Sequence, residues 1–361
     1  MKILYYFKEN ATYMYQWQRL QIFDNLSQRG REIKVFNPLY YSSCDAAETA
    51  LLQEVKANRY DLFMTPHNER DISVDVLQQI NSIGIPTLLI CFDNLLIPYE
   101  HKKIAQYFSL VWLTSLETEY LFRSWHANTV FLPYASNPYY FSFAKETNAV
   151  NRCVFLGTVY GSRAQTINRF LQCGADVTLF TASGHPLPSD YGDGAKLVHN
   201  IWNYVRTPIG RKVIWAAVKQ KTRPIKLLFD SPHLEICDPI PFSQMSAVYA
   251  NYALSISSSS ARNTGLLRHP VHVINLRSFE IPMCGGLQIT EFNPELASYF
   301  DEDKEIVFYR SLEELKEKAK FYCSEKNSAL RIKMKAAARR RAENEHTWNA
   351  RFDRIFEILG I

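Results

Sequence analysis

In the stretch RSFEIPMCGGLQITEF, Arg277 to Phe292, a carboxylate stands where the pattern asks for core. Phe279, Ile281, Met283, Leu287 and Ile289 read as buried, and Glu280 lies among them. A buried carboxylate without a partner costs several kcal/mol, so Glu280 needs one. Arg277 is near enough in sequence to serve. The alternative is a ligand's hydroxyl pair, because a carboxylate accepts from both ribose hydroxyls of a nucleotide. A helix carrying Glu280, then a Cys284-Gly285-Gly286 turn into the strand LQIT, suits a nucleotide-sugar donor.

A second stretch, FLGTVYGSRAQTINRF, runs from Phe155 to Phe170. A strand leads into a loop with Gly157 and Gly161, and Ser162 is placed to cap the helix that follows. Free backbone N–H groups and the positive end of a helix dipole suit phosphate, and Arg163 adds a full charge. The spacing is neither G-x-G-x-x-G nor a phosphate-loop lysine motif, so nicotinamide and ATP chemistry have no direct support. Most such strand–glycine–helix turns are only turns.

The segment Lys196 to Phe229 carries Arg206, Arg211, Lys212, Lys219, Lys221, Arg223 and Lys226 and no acidic residue. Trp202, Ile214, Trp215, Val218 and Leu227 offer it an apolar face. This composition fits a helix lying on an anionic membrane surface or holding a phosphorylated lipid; the alternative is a solvated helix covering its domain. RIKMKAAARRRAENEH reads as a solvated basic helix, and DEDKE at Asp301 to Glu305 as a solvated loop rather than a metal site.

The elements that must position these residues alternate in type. KILYYF, EIKVFNP, YDLFMTPH, IPTLLICF, SLVWLTS and NTVFLPYA read as strands. Helices fall near Ala11 to Gln28 with a stop at Gly30, around Ala46 to Ala57, and in SVDVLQQINSIG before Gly84. SNPYYFSFAKETNAVN breaks the rhythm as an interdomain linker. A second series follows: RCVFLGT, RAQTINRFLQCG, ADVTLFT, HLEICDPI, FSQMSAVYANY, ALSISS, IVFYRS and LEELKEKAKFYC, with a last helical region ending in EHTWNARFDRIFEILGI. Alternating strands and helices mean parallel sheets. Two α/β domains are therefore expected, 1–145 and 146–345 with a basic insertion about 185–230, and a terminal helix at 346–361. Ligands of open α/β sheets bind at the carboxyl ends of strands, so a cleft between the domains is the default site.

A chain of 361 residues suits two cores rather than one. With 47% hydrophobic and 21% charged residues it is globular, and a net charge of +5 is too small to imply nucleic acid. The start lacks a signal peptide, and no window reaches the roughly 20 apolar residues of a membrane span. Seven scattered cysteines without a C-x-x-C fit reduced thiols in a cytoplasm and argue against a zinc site.

The region from about Cys153 to Leu359 resembles the C-terminal domain of GT-B glycosyltransferases, and within them the CgeB-like (spore maturation protein) group of the group 1 clan. RSFEIPMCGGLQITEF, KEIVFYRSLEEL and EHTWNARFDRIFEIL carry the resemblance, in order and in register. It implies two Rossmann-like domains facing each other across a cleft, an acceptor domain followed by a donor domain, and a final helix returning to brace the first. It further implies that Glu280 is the second Glu of an E-x7-E motif and holds the donor's ribose. The first Glu would fall at His272, so the motif is incomplete. Gly157 and the loop Tyr160, Gly161, Ser162, Arg163 would face the diphosphate, with Arg277 as a further candidate. Gly285 and Gly286 would flank the donor, and the polar loop SISSSSARNTG would reach it through Arg262 or Asn263. In an inverting enzyme a general base follows a strand of the acceptor domain, and His67 in FMTPHNERD and Asp93 in CFDN are the candidates.

The expected function is therefore a hexosyltransferase in cell-surface polysaccharide synthesis, independent of metal and cofactor. It would move a sugar from a nucleotide-sugar donor to a hydroxyl of a glycan, lipid-linked glycan or protein. Its expected place is the cytoplasm, at the inner face of a membrane if the basic segment binds one; no nucleic-acid partner is expected. The alternatives are a nucleotide-sugar epimerase or hydrolase on the same fold and a non-catalytic binding or assembly protein, the latter kept open by His272.

Overall fold

The computed structural model describes residues 1–9, 13–92, 94–144, 146–159, 162–181 and 201–361. The chain forms two compact units, Met1–Tyr134 with Trp348–Ile361, and Ala135–Thr347.

The first unit is built on strands β1 (Lys2–Tyr6), β2 (Glu32–Phe36), β3 (Leu62–Thr65), β4 (Thr87–Cys91), β5 (Leu110–Leu113) and β6 (Thr129–Phe131). All pair in parallel in the order β2-β1-β3-β4-β5-β6. Strands β3, β4 and β5 are buried along their whole length, which is why their sequences are continuous apolar runs rather than alternating ones. Serines start the flanking helices: the Ser43 side chain accepts from the Ala46 N–H (3.1 Å) at Cys44–Ala57, and Ser73 accepts from Val76 (3.4 Å) at Val74–Ser82. The helix expected near Ala11 to Gln28 is not uniform. Tyr13–Gln18 and Asp24–Ser27 are α-helical, and a π turn, Arg19–Phe23, lies between them. Helix Trp348–Leu359 completes this unit. The Trp348 ring lies 5.9 Å from both Trp17 and Trp112, and its Nε1 donates to Gln21 Oε1 at 3.0 Å.

The second unit holds β7 (Val150–Leu156), β8 (Val177–Phe180), β9 (Leu234–Cys237), β10 (Tyr252–Ile256), β11 (Gln288–Glu291) and β12 (Val307–Tyr309). These also run parallel, in the order β12-β11-β10-β7-β8-β9. Cys153, Phe155, Leu254, Ile289 and Val307 from the strands and Ile167 and Phe170 from helix Arg163–Gln172 share one core. In the stretch read as a linker, Asn137 is buried and its side chain accepts from the Tyr139 N–H at 2.9 Å.

One expectation is overturned here. The basic residues of helix Ser328–Glu345 are not all solvated: Lys333 and Arg340 are exposed, but Arg331, Lys335 and Arg339 recur every four residues and are 1%, 3% and 5% exposed. Two of the three close the carboxyl ends of other helices, and Arg339 donates to the Phe141 carbonyl. Arg331 donates to the carbonyls of Tyr322 (2.8 Å) and Ser324 (2.6 Å), at the end of helix Leu312–Tyr322. Lys335 donates to Ala250 O (2.7 Å), at the end of helix Met245–Asn251, and pairs with Glu146 (2.8 Å). Helix carboxyl ends leave carbonyls unpaired and carry negative potential, so buried cations belong there.

Candidate functional site

Each sheet has a point where strand order reverses, between β1 and β3 in the first unit and between β7 and β10 in the second. In open α/β sheets such a point, past the carboxyl ends of the strands, is where ligands bind. In the second unit the loops after β7 and β10 are joined by Ser162, whose hydroxyl donates to the Arg262 carbonyl at 2.7 Å. Ser162 is buried and its side chain makes no capping bond, so the expected helix cap is instead this inter-loop tie. Arg262 adopts a φ of 46°, uncommon for a long side chain. A Cβ on Gly265 would lie 2.9 Å from Ser162 Oγ, so the tie requires glycine at that position.

Arg163 opens helix Arg163–Gln172 and folds back across its own loop, donating Nη1 to Thr158 O at 3.0 Å. The Gly157 N–H, expected to be free for phosphate, donates to Phe180 O at 3.0 Å. Arg262 is exposed, its guanidinium 5.9 Å from the Tyr204 ring centroid. The structure thus gathers Gly157, Ser162, Arg163 and Arg262 on one pair of loops. Tyr160 and Gly161 lie outside the described residues.

The loop after β10 has a further property that the sequence did not announce. Ser259 Oγ, Asn263 Oδ1, His272 Nδ1 and Asn275 Oδ1 are buried and have no hydrogen-bond partner among the described residues. Its backbone is nevertheless well tied, with Ala261 N–H donating to Val271 O (2.8 Å) and Val273 N–H to Ser259 O (2.7 Å). An unsatisfied buried polar atom costs about 1–3 kcal/mol, so four on one loop set it apart. The run of serines and asparagines was the available signal.

Glu280 and Arg277 lie one turn apart on helix Arg277–Met283. Glu280 is 0% exposed and accepts from the Arg277 guanidinium. Arg277 itself keeps part of its side chain exposed, 24%. Gly285 and Gly286 form the helix stop. Gly285 has a φ of 82°, its N–H donates to Pro282 O (3.0 Å), and the Gly286 N–H donates to Ile281 O (2.9 Å). A Cβ on Gly285 would sit 3.0 Å from the Phe143 ring.

At the first unit's switch point stands His67, after β3. Its Nε2 accepts the Lys8 backbone N–H at 2.8 Å, which fixes the tautomer, and Nδ1 faces Asp71 Oδ2 at 3.4 Å. The Lys8 ammonium also bonds Asp71. Burial pushes the Asp71 carboxyl up, but the hydrogen bonds from His67 and Lys8 outweigh it and hold the carboxyl well below the usual range. Both ring nitrogens of His67 are therefore engaged, by residues that sequence reasoning did not connect to it. Asp93 lies outside the described residues.

A family described as glycosyl transferase-like matches residues 191–357, just under half of the chain. No curated protein sequence matches. Among solved structures, HepE of Anabaena in complex with UDP-glucose is 12% identical, with TM-score 0.57 over 100% of this chain and 99% of that one. Sucrose-phosphate synthase of Thermosynechococcus elongatus is 13% identical, with TM-score 0.54 over 99% and 98%. A glycosyltransferase of Rickettsia africae is 13% identical, with TM-score 0.57 over 99% and 98%. These likenesses give the chain the GT-B fold.

Proposed function

We propose that the chain is a glycosyltransferase that holds a nucleotide-sugar donor at the switch point of its second unit. The sugar passes to a hydroxyl of a glycan, lipid-linked glycan or protein. The observation that carries this reading is the tied pair of loops after β7 and β10, with two arginines and four unpartnered buried polar atoms. The family match over 191–357 and the fold shared with HepE, solved with UDP-glucose and with UDP, support it.

When the bond to the sugar breaks, negative charge grows on the diphosphate, and preorganised positive charge lowers that barrier. Arg163, Arg262, Arg277 and the amino end of helix Arg163–Gln172 supply it in this reading, without a resident cofactor. Glu280 acts behind Arg277, orienting its guanidinium. His272 and Asn275 offer the sugar hydroxyls donors and acceptors. His67 and Asp93 are the candidates for deprotonating the acceptor, His67 once the Lys8 amide yields Nε2.

Thermal-shift binding across nucleosides, nucleoside diphosphates and nucleotide sugars tests the reading. One base series should stabilise the protein, by about 2.7 kcal/mol at a hundredfold excess over Kd. Glu280→Gln should weaken the diphosphate ten- to a hundredfold, the scale of a charged hydrogen bond, and leave the nucleoside unchanged. Equal losses for both would return Glu280 to the ribose. Stabilisation by none of the ligands would overturn the enzyme reading in favour of a non-catalytic protein.

A further inference from the structure

Residues 201–229 of the second unit carry seven Lys or Arg and no Asp or Glu. The structure leaves several of their apolar side chains at the surface. Trp202 is 58%, Trp215 64% and Phe229 66% exposed, and Val218 and Leu228 are exposed with them. The apolar face expected from the sequence is thus divided: Leu227 is buried in the core, whereas the tryptophans and Val218 face outward.

Helix Pro208–Thr222 shows how the division arises. Its buried side is small, Gly210, Val213 and Ala216, and packs inward. Thr207 caps its start, accepting from the Gly210 N–H at 2.8 Å. On the outer side Trp215 has Arg211 and Lys212 one turn before it and Val218 one turn after, the spacings that share a helix face. Lys219 reaches back to the unit, donating to Leu266 O at 2.6 Å, beside the loop that carries Arg262. The helix is therefore fixed to the second unit while its aromatic and basic face is left outward.

We infer that this face is a docking surface for an anionic lipid bilayer. The cations match the negative potential of the surface, and the tryptophans match the headgroup layer, where an amphipathic ring has both its environments. Val218 and Leu228 decide against nucleic acid, since alkyl side chains gain from acyl chains and not from a phosphate backbone. Among the described residues no helix is long and apolar enough to cross a membrane, so the contact is peripheral. Docking of this face brings the Arg262 loop, and with it the candidate donor crevice, close to the lipid surface. The inference stands without the transferase reading.

Co-sedimentation with vesicles of phosphatidylglycerol and phosphatidylcholine in equal parts, against phosphatidylcholine alone, tests it. The full-length chain should pellet with the anionic vesicles only, and salt should release it. Arg211→Glu with Lys212→Glu should lower partitioning roughly thirtyfold or more, at about one kcal/mol per surface cation. Trp215→Ser should weaken binding while keeping its salt dependence, and vesicles should shift the wild-type tryptophan emission to the blue. Circular dichroism identical to wild type shows that the variants are folded. Equal binding to both vesicle types, no binding, undiminished binding by the charge-reversed variant, or preference for single-stranded RNA over vesicles would each overturn the inference.

Discussion

His101 is a titratable side chain placed where its charge is unwelcome. It is 5% exposed, its ring lies 6.3 Å from Phe122, and its Nδ1 has no partner among the described residues. Burial drives its pKa from 6.5 down to about 4; the Asp71 carboxylate opposes the shift and His67 adds to it. The unfolded chain therefore takes up a proton first as pH falls. Stability is full above pH 6.5 and is lost between 6.5 and 4, by at most about 3 kcal/mol, from the one shift. Asp71, held below its ordinary pKa, acts in the same direction but only below its unfolded value of 3.8. Urea denaturation at pH 7 and pH 5 should show the loss in wild type and little of it in His101→Gln; equal losses in both would remove His101 as the cause. None of this could be read from EHK in the sequence, because the groups that bury His101 come from elsewhere in the chain. Glu280 was legible to a greater degree: its pattern demanded a partner, and the Arg277 guanidinium lies beside it.

At the scale of elements, the final helix is the clearest case of burial deciding structure. Trp348 is 0% exposed among Trp17, Phe92, Trp112 and Tyr134, and Arg351 donates Nε to Pro133 O at 3.0 Å. Trp348→Ala should cost about 3–5 kcal/mol, as for other large core residues, read as a lower urea midpoint by far-ultraviolet circular dichroism. A loss below about 1 kcal/mol would mean that the helix contributes little to this core. Strands were legible because parallel sheets covered on both faces demand unbroken apolar runs, as in LFMT and TLLIC. The start at Ser73 was legible, since SVDVLQQINSIG opens on the serine that caps it, whereas helix Cys44–Ala57 begins two residues before the expected Ala46. The π turn at Arg19–Phe23 and the buried stripe Arg331, Lys335, Arg339 were not, since each depends on what the helix meets in space. The inter-loop tie of Ser162 was hidden for the same reason: its acceptor, the Arg262 carbonyl, is a hundred residues away.

At the scale of the whole molecule, both units follow one plan, a six-stranded parallel sheet with a single reversal of strand order. Of the residues singled out for chemistry, Ser162 and Arg262 fall beside the reversal in one unit and His67 beside that in the other. The second unit is a single stretch of chain, Ala135–Thr347, and its two ends lie side by side: Ser136 bridges Thr347, and the Ser136 N–H donates to His346 O at 3.0 Å. A fragment of 135–347 should therefore fold alone and give dispersed amide resonances; a collapsed, undispersed spectrum would show that it needs the rest of the chain.

The first unit has no such autonomy, because Trp348 reaches its core only after the whole second unit has been spelled out. During synthesis the six strands of the first unit leave the ribosome early, yet the ring that fills the space beside Trp17 and Trp112 arrives last. Until then an aromatic pocket stands open, so the order of translation opposes the usual sequence in which the leading domain matures first. A newborn chain must keep that pocket from other hydrophobic partners for the time taken to translate more than half of its length.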